Sequence, residues 1–185
     1  MRYATLIMAL LTFAALPPSL DAQQQPGAPK TDPIAASVRA GWDGAKRNFS
    51  QAAEAMPESD YGFRPVSTVR TFGQIVAHVA GANYVICAAA KGEKAPFEEE
   101  SFEKTATTRA QIVKALGESM AYCEAAYAAL DDRRAAETVD LPFGAGKGAR
   151  VRALMLNTGH VQEHYGNLVT YLRVKGIVPP SSRQP

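Results

Sequence analysis

The chain has 185 residues, which is enough for one ordinary domain and short for two. It is 46% hydrophobic and 21% charged, so it can bury a sizeable core and is not a disordered chain. Its 20 Lys and Arg against 18 Asp and Glu leave a formal charge of +2, which offers no electrostatic basis for binding nucleic acid or an anionic membrane. Two cysteines exclude a disulfide-dense scaffold and a metal site built on four thiolates.

Residues 1–22 have the pattern of a cleavable secretory signal. Arg2 gives a positive start, an uncharged apolar run extends from Ala4 to Leu16, and the small residue Ala22 offers a cleavage point. The run is shorter than the roughly 20 apolar residues that span a bilayer. We therefore expect a periplasmic or secreted protein that has no stable membrane insertion after the signal is removed.

Hydrophobic periodicity predicts four helices and no regular strand. The predicted helices run over about 32–57, 71–92, 107–130 and 151–175. Residues 96–107 are expected to be an acidic linker and residues 131–150 a loop. The second helix has no charged residue between Arg70 and Lys91, but its polar side chains indicate a buried core helix rather than a lipid-facing one. The expected boundaries are 1–22 for the signal, 23–31 for a polar linker, 32–180 for a four-helix bundle and 181–185 for a tail.

The three histidines of the chain suggest a metal site. His160 and His164 are four residues apart on the fourth predicted helix, so both rings lie on one face within reach of a single ion. His78 lies at the flank of the apolar stripe of the second helix, where it would face a neighbouring helix. Three neutral imidazoles with an open fourth position are typical of a catalytic zinc site. The water on the ion is then the one catalytic group that the sequence offers.

Two other interpretations compete with this one. A histidine pair at this spacing also occurs by chance on surfaces, and a core histidine commonly bonds a carbonyl, so the protein would then be a helical interaction protein with packed histidines. The segment from His160 to His164 also matches the H-x-x-E-H pattern of inverted zinc peptidases. We reject that match, because only 21 residues follow His164 and Glu163 is expected to point to solvent.

Several short segments together carry a family resemblance. They are Phe63-Arg64-Pro65, Arg70-Thr71-Phe72-Gly73-Gln74, Ala77-His78-Val79-Ala80, Ala90-Lys91-Gly92-Glu93-Lys94, and the closing stretch from His164-Tyr165-Gly166-Asn167 to Pro179-Pro180. In this order they resemble the DinB-like superfamily of metalloenzymes, over about residues 32–180. The resemblance implies an all-α four-helix bundle with a long second connection and up-down-down-up topology. It also implies a divalent ion held by His78, His160 and His164.

The resemblance also bears on activity. Characterised relatives look like thiol-dependent transferases and isomerases that use low-molecular-weight thiols of the cytoplasm, whereas this chain carries an export signal. We therefore expect an exported metal-dependent enzyme that hydrolyses, or transfers a group on, an unknown small molecule at a mononuclear three-histidine site. The alternative is a non-catalytic metal-binding or stress-related bundle protein. Zinc is the expected metal, with nickel, iron or manganese left open because ligand type alone does not select among them.

Five further residues complete the predicted site and its frame. Asn83, Asn157 and Tyr171 are candidates to orient the histidines. Export permits a disulfide between Cys87 and Cys123, and closing a 36-residue loop would stabilise the fold by roughly 3.8 kcal/mol. Two buried free thiols are the alternative.

The sequence leaves the assembly open. Exposed aromatic rings at Trp42 and Tyr84 would indicate a homodimer, and no nucleic-acid partner is expected.

Overall fold

The computed structural model describes residues 31–183, so the predicted signal over 1–22 and almost all of the linker lie outside the described residues. The helices are α1 (Pro33–Ala55), α2 (Phe72–Lys91), α3 (Ser101–Thr105), α4 (Arg109–Ala128), α5 (Asp132–Ala135) and α6 (Arg150–Val174). Two short antiparallel strands, β1 (Thr138–Asp140) and β2 (Lys147–Ala149), form a hairpin before α6. The four long helices are the four predicted from periodicity, each within two residues at either end. The all-α prediction is confirmed.

Hydrogen bonds at the helix ends fix the direction of α1 against α4. The Arg109 side chain, at the start of α4, donates to the carbonyl of Met56, just past the end of α1. Arg39, near the start of α1, donates to the carbonyl of Leu130, just past the end of α4. These two helices are therefore antiparallel.

The remaining directions follow from contacts of α2. Asn83 and Cys87 contact Ser119 and Cys123, in the same order along α4, so α2 and α4 are parallel. Arg150, at the start of α6, bonds the carbonyl of Ala90 near the end of α2, while Tyr171, near the end of α6, bonds the carbonyl of Arg70 just before α2. Helices α2 and α6 are therefore antiparallel. The bundle runs up, down, down, up, with the crossover between α2 and α4.

Helix α2 is delimited by its own sequence. At its start, the hydroxyl of Thr71 accepts from the Gln74 backbone N–H, and the Gln74 side chain accepts from the Thr71 N–H, which makes a capping box. At its end, Gly92 takes the left-handed conformation with φ 76°, which favours glycine. Among the described residues, α2 is the one helix long and apolar enough to cross a membrane. Most of its side chains are buried against α4 and α6, as expected for a core helix.

The connections contain structure that the sequence analysis missed. The stretch 131–150, predicted as loop, holds α5 and the β1–β2 hairpin, and the acidic linker 96–107 contains α3. The N-terminus of α1 is capped from a distant part of the chain. It is Asp132 that accepts from the backbone N–H of Ala35, at 2.8 Å, from a position almost one hundred residues away. Long-range capping leaves no pattern in the local sequence.

The two aromatic residues that would have indicated a homodimer are buried. Trp42 is fully buried and stacks on Tyr127, with ring centroids 4.6 Å apart. Tyr84 is 7% exposed and packs edge-to-face against Phe97. These rings serve the core and the α2–α4 connection, so the homodimer stays a prediction without support from them.

A disulfide between Cys87 and Cys123 ties α2 to α4 in the core. We predict that replacing both residues with alanine lowers the free energy of unfolding by about 2–4 kcal/mol, because the unfolded chain loses a 36-residue loop constraint. Chemical denaturation measures the change. Dithiothreitol should destabilise the wild type and leave the double variant unaffected; an equal response of the two proteins would contradict the prediction.

Candidate metal centre

The three histidines converge between α2 and α6. One ring nitrogen of each of His78, His160 and His164 lies within 4.8 Å of the other two. The Nε2 atoms of His78 and His160 are 3.2 Å apart, and the ring centroids of the three imidazoles are separated by 4.5 to 5.1 Å. The antiparallel register of the two helices brings this about, because it sets the middle of α6 beside the first half of α2. The convergence predicted from the sequence is what the structure shows.

Burial keeps the pair on α6 in the neutral form. It lowers the pKa of His160 to about 3, and nearby His164, His78 and Arg70 add to the shift. Burial also lowers the pKa of His164 to about 4, with His78 contributing next. Both imidazoles are therefore unprotonated at neutral pH, and each has a lone pair available for a metal ion.

The second ring nitrogen of His78 lies next to Glu103, a residue of the acidic connection between α2 and α4. Oε1 of Glu103, in α3, lies 3.2 Å from Nδ1 of His78, although the contact does not have hydrogen-bond alignment. Glu103 is itself held by Arg70, whose Nε and Nη2 atoms lie 3.0 and 3.3 Å from the two carboxylate oxygens. A carboxylate behind a histidine is the usual way in which proteins fix the orientation and tautomer of a metal ligand. The histidines and this support fit a divalent metal ion.

A second contact of this kind occurs on α6. Nδ2 of Asn167 lies 3.4 Å from Nδ1 of His164, one turn away on the same helix. By contrast, Nδ1 of His160 is buried without a hydrogen-bond partner among the described residues. An unpartnered buried polar atom is costly and calls for an explanation, such as an ion or water bound nearby.

The predicted orienting residues make their hydrogen bonds elsewhere. The amide of Asn83 donates to Ser119, and that of Asn157 donates to the hydroxyl of Tyr127, so both serve the packing against α4. Tyr171 bonds the carbonyl of Arg70 at 2.7 Å and shares a cavity with His164. The sequence analysis missed Glu103, because it treated residues 96–107 as an acidic linker. The available signal was the cluster of glutamates in that linker, shortly after the helix that carries His78.

Two cavities flank the centre. One of about 330 Å³ is lined by His164, Arg70, Asn167 and Tyr171, together with apolar side chains. The other, of about 280 Å³, is lined by Glu103 and by the start of α2. Their size is that of small-molecule sites, with a few polar groups placed among apolar ones.

A four-helix bundle whose antiparallel helices bring three histidines together has the arrangement on which helical proteins can build metal sites. The family model of the DinB superfamily matches residues 42–168, which include all three histidines. The chain belongs to the DinB superfamily. No curated protein matches it.

Solved structures show the same fold. A DinB-like protein from Bacillus cereus ATCC 10987 is 16% identical with a TM-score of 0.65, and covers 78% of this chain and 95% of its own. A DinB-like protein from Bacillus subtilis is 19% identical with a TM-score of 0.63, and covers 80% and 99%. The mycothiol-dependent maleylpyruvate isomerase is 16% identical with a TM-score of 0.59, over 72% of this chain and 60% of that protein. At these identities the likeness is one of fold.

The depressed histidine pKa values predict the acid sensitivity of the metal-free protein. Below pH 6.5 the unfolded chain binds protons at His160 and His164, whereas the folded chain does not until about pH 3 and 4. Stability is therefore lost as the pH falls through this window. We predict that, with a chelator present, the melting temperature falls more between pH 6.5 and 5 in the wild type than in H160Q/H164Q. Parallel curves for the two proteins would contradict the prediction.

Proposed function

We propose that this protein is a metal-dependent enzyme that hydrolyses, or transfers a group on, a small molecule at a mononuclear centre formed by His78, His160 and His164. The convergence of three ring nitrogens within 4.8 Å carries the proposal, because three imidazole ligands leave room for a substrate or water on the ion. The neutral state of the α6 pair supports it. Zinc suits this donor set best, and nickel, iron and manganese are the competing ions.

The surroundings of the centre favour a small polar substrate. When bound, the ion supplies a Lewis acid that activates a coordinated water or thiol. The chain itself supplies the cavity beside His164, in which Arg70 and Asn167 offer hydrogen-bond donors to the substrate. Glu103 holds the Arg70 side chain in place and keeps His78 oriented. The residues thus bind and orient, and no histidine is left over to act as a separate base.

A thiol is one of two candidate nucleophiles. The isomerase that shares this fold is described as mycothiol-dependent. For this chain the likeness is one of fold, and export would separate the protein from the low-molecular-weight thiols of the cytoplasm. Water is the competing nucleophile, and assays with and without added thiols distinguish transfer from hydrolysis.

Metal binding without turnover is the second candidate function, and one contact favours it. Oε1 of Glu99 lies 3.7 Å from Nε2 of His78, the nitrogen that faces His160. A fourth protein ligand at this position would close the centre, as in structural sites.

We further propose that the chain acts outside the cytoplasm after cleavage behind Ala22. The signal pattern of residues 1–22 and the core disulfide, a bond that persists in oxidising compartments, support this. Expression of the full chain in a Gram-negative host should give a periplasmic product whose mass is that of residues 23–185. A cytoplasmic product that retains residues 1–22 would contradict the proposal.

Metal content tests the proposed centre directly. Mass spectrometry of the untagged mature protein should find about one ion per chain, and the double variant H160A/H164A should lose it, because two of the three ligands are removed. The matched control is Glu163→Ala, which alters an exposed residue of the same helix between the two histidines and should keep the ion. Circular dichroism checks that each variant is folded.

The outcomes separate the alternatives. One ion per chain, lost with the histidines, justifies a screen of hydrolase and thiol-transfer substrates. Background metal in the wild type, even after incubation with zinc or nickel, would overturn the enzyme proposal and leave a bundle with packed histidines.

A further inference from the structure

The backbone of the connection between α2 and α4 rests against α2 at Gly81. A Cβ atom on Gly81 would lie 1.8 Å from the carbonyl oxygen of Glu99 and 2.7 Å from its carbonyl carbon. No side chain fits into this space, so the backbone at Glu99 rests directly on the helix. Gly81 is one turn beyond His78 on α2, and the contact therefore brings the connection to the histidine centre.

Aromatic side chains on both sides of Glu99 fix the connection in this position. Phe97 and Phe102 pack against each other, with ring centroids 5.0 Å apart. Both also pack against Tyr84 of α2, at 4.9 and 5.8 Å. The backbone N–H of Glu98 donates to the hydroxyl of Ser101, which starts α3. Glu99 is thus held by the packing of Phe97 and Phe102 on either side of it and by the contact of its backbone with Gly81.

Both ring nitrogens of His78 consequently face carboxylates. The charge of Glu103, 3.2 Å from Nδ1, favours the tautomer that carries its proton on that nitrogen. Nε2 of His78 then carries a lone pair. It lies 3.2 Å from Nε2 of His160 and 3.7 Å from Oε1 of Glu99. Only one proton can lie between Nε2 of His78 and Nε2 of His160. That proton cannot form a hydrogen bond with both nitrogens and with the Glu99 carboxylate at once. A cation bound to Nε2 of His78 and of His160 would attract the Glu99 carboxylate, whose oxygen is 3.7 Å from His78 but is not part of the three-histidine group itself.

We propose that Glu99 is a fourth protein ligand of the ion, so that the centre is three histidines and one carboxylate. This inference rests on the three-histidine centre of the proposed function. Nitrogen and carboxylate oxygen ligands both lie about 2.0–2.2 Å from a zinc ion. Two ligand atoms of one ion are therefore separated by slightly less than the 3.7 Å between Oε1 of Glu99 and Nε2 of His78. The adjacent Glu98 and Glu100 are exposed.

A carboxylate ligand changes what the centre selects. A ligand set that includes a carboxylate suits manganese and iron better than a set of imidazoles alone. The Glu99 side chain is 35% exposed and comes from a connection rather than a long helix. With Glu99 bound, a substrate would have to bind as an additional ligand or displace this carboxylate; if it does neither, the centre is the closed one of metal binding without turnover.

Metal titration of the full mature protein tests the role of Glu99. We expect Glu99→Gln to weaken Zn²⁺ binding about tenfold or more, and Mn²⁺ binding by a larger factor, while the matched control Glu98→Gln changes neither by more than about twofold. Substitution of the site with Co²⁺ gives a second readout, because its visible absorption reports the number and type of ligands. That spectrum should change in E99Q and stay as in the wild type in E98Q.

Two further variants separate ligation from support and from packing. Glu103→Gln acts behind His78, so it should weaken binding but keep the wild-type Co²⁺ spectrum. Gly81→Ala displaces the Glu99 backbone and should reproduce both effects of E99Q. Its control is Gly117→Ala, at an exposed helical glycine whose added Cβ meets no atom within 4 Å. If G81A fails to fold, E99Q alone decides.

The results distinguish this inference from the proposed function. An E99Q protein that binds Zn²⁺ and Mn²⁺ like the wild type, with the same Co²⁺ spectrum, overturns the role of Glu99 and leaves the three-histidine centre intact. A wild type that binds none of the three ions overturns both.

Discussion

The antiparallel packing of α2 against α6 is held at both ends by hydrogen bonds to backbone carbonyls, from Arg150 to Ala90 and from Tyr171 to Arg70. These two bonds fix how far one helix is displaced along the other. A shift by one turn, about 5.4 Å, would separate His78 from the pair on α6 by more than any single ion can bridge. Tyr171 therefore matters to the centre through register rather than through contact with an imidazole.

The sequence was a good guide to whatever depends on nearby residues. Helix periodicity, the bounds of the second helix near 71 and 92, and the spacing of His160 and His164 are local patterns, and the structure reproduces them. The convergence with His78 needed one further step, that flank positions face a neighbouring helix. Topology followed from the family resemblance, since local patterns do not fix the direction of a crossover.

Residues that act across the fold escaped the same reasoning. Glu99 and Glu103 come from a connection whose sequence resembles a solvated acidic linker. The approach of Glu99 to His78 depends on the absence of a side chain at Gly81. For Asn83 and Asn157, the predicted role near the histidines was wrong. Both were candidates to orient the histidines, but the sequence could not tell whether each amide bonds a histidine or a residue of α4. Burial predicts that a polar group is bonded, and only the packed structure shows to what.

The covalent bond in the core joins α2 to α4 and leaves α6 without a covalent tie to either. An ion held by His78 on one side and by His160 and His164 on the other would be the second cross-link, between α2 and the last helix of the chain. The two cross-links obey different conditions, one the redox state of the compartment and the other its free metal. Loss of the ion would loosen the C-terminal helix first, and would expose it to proteases while the disulfide-bonded pair stays closed.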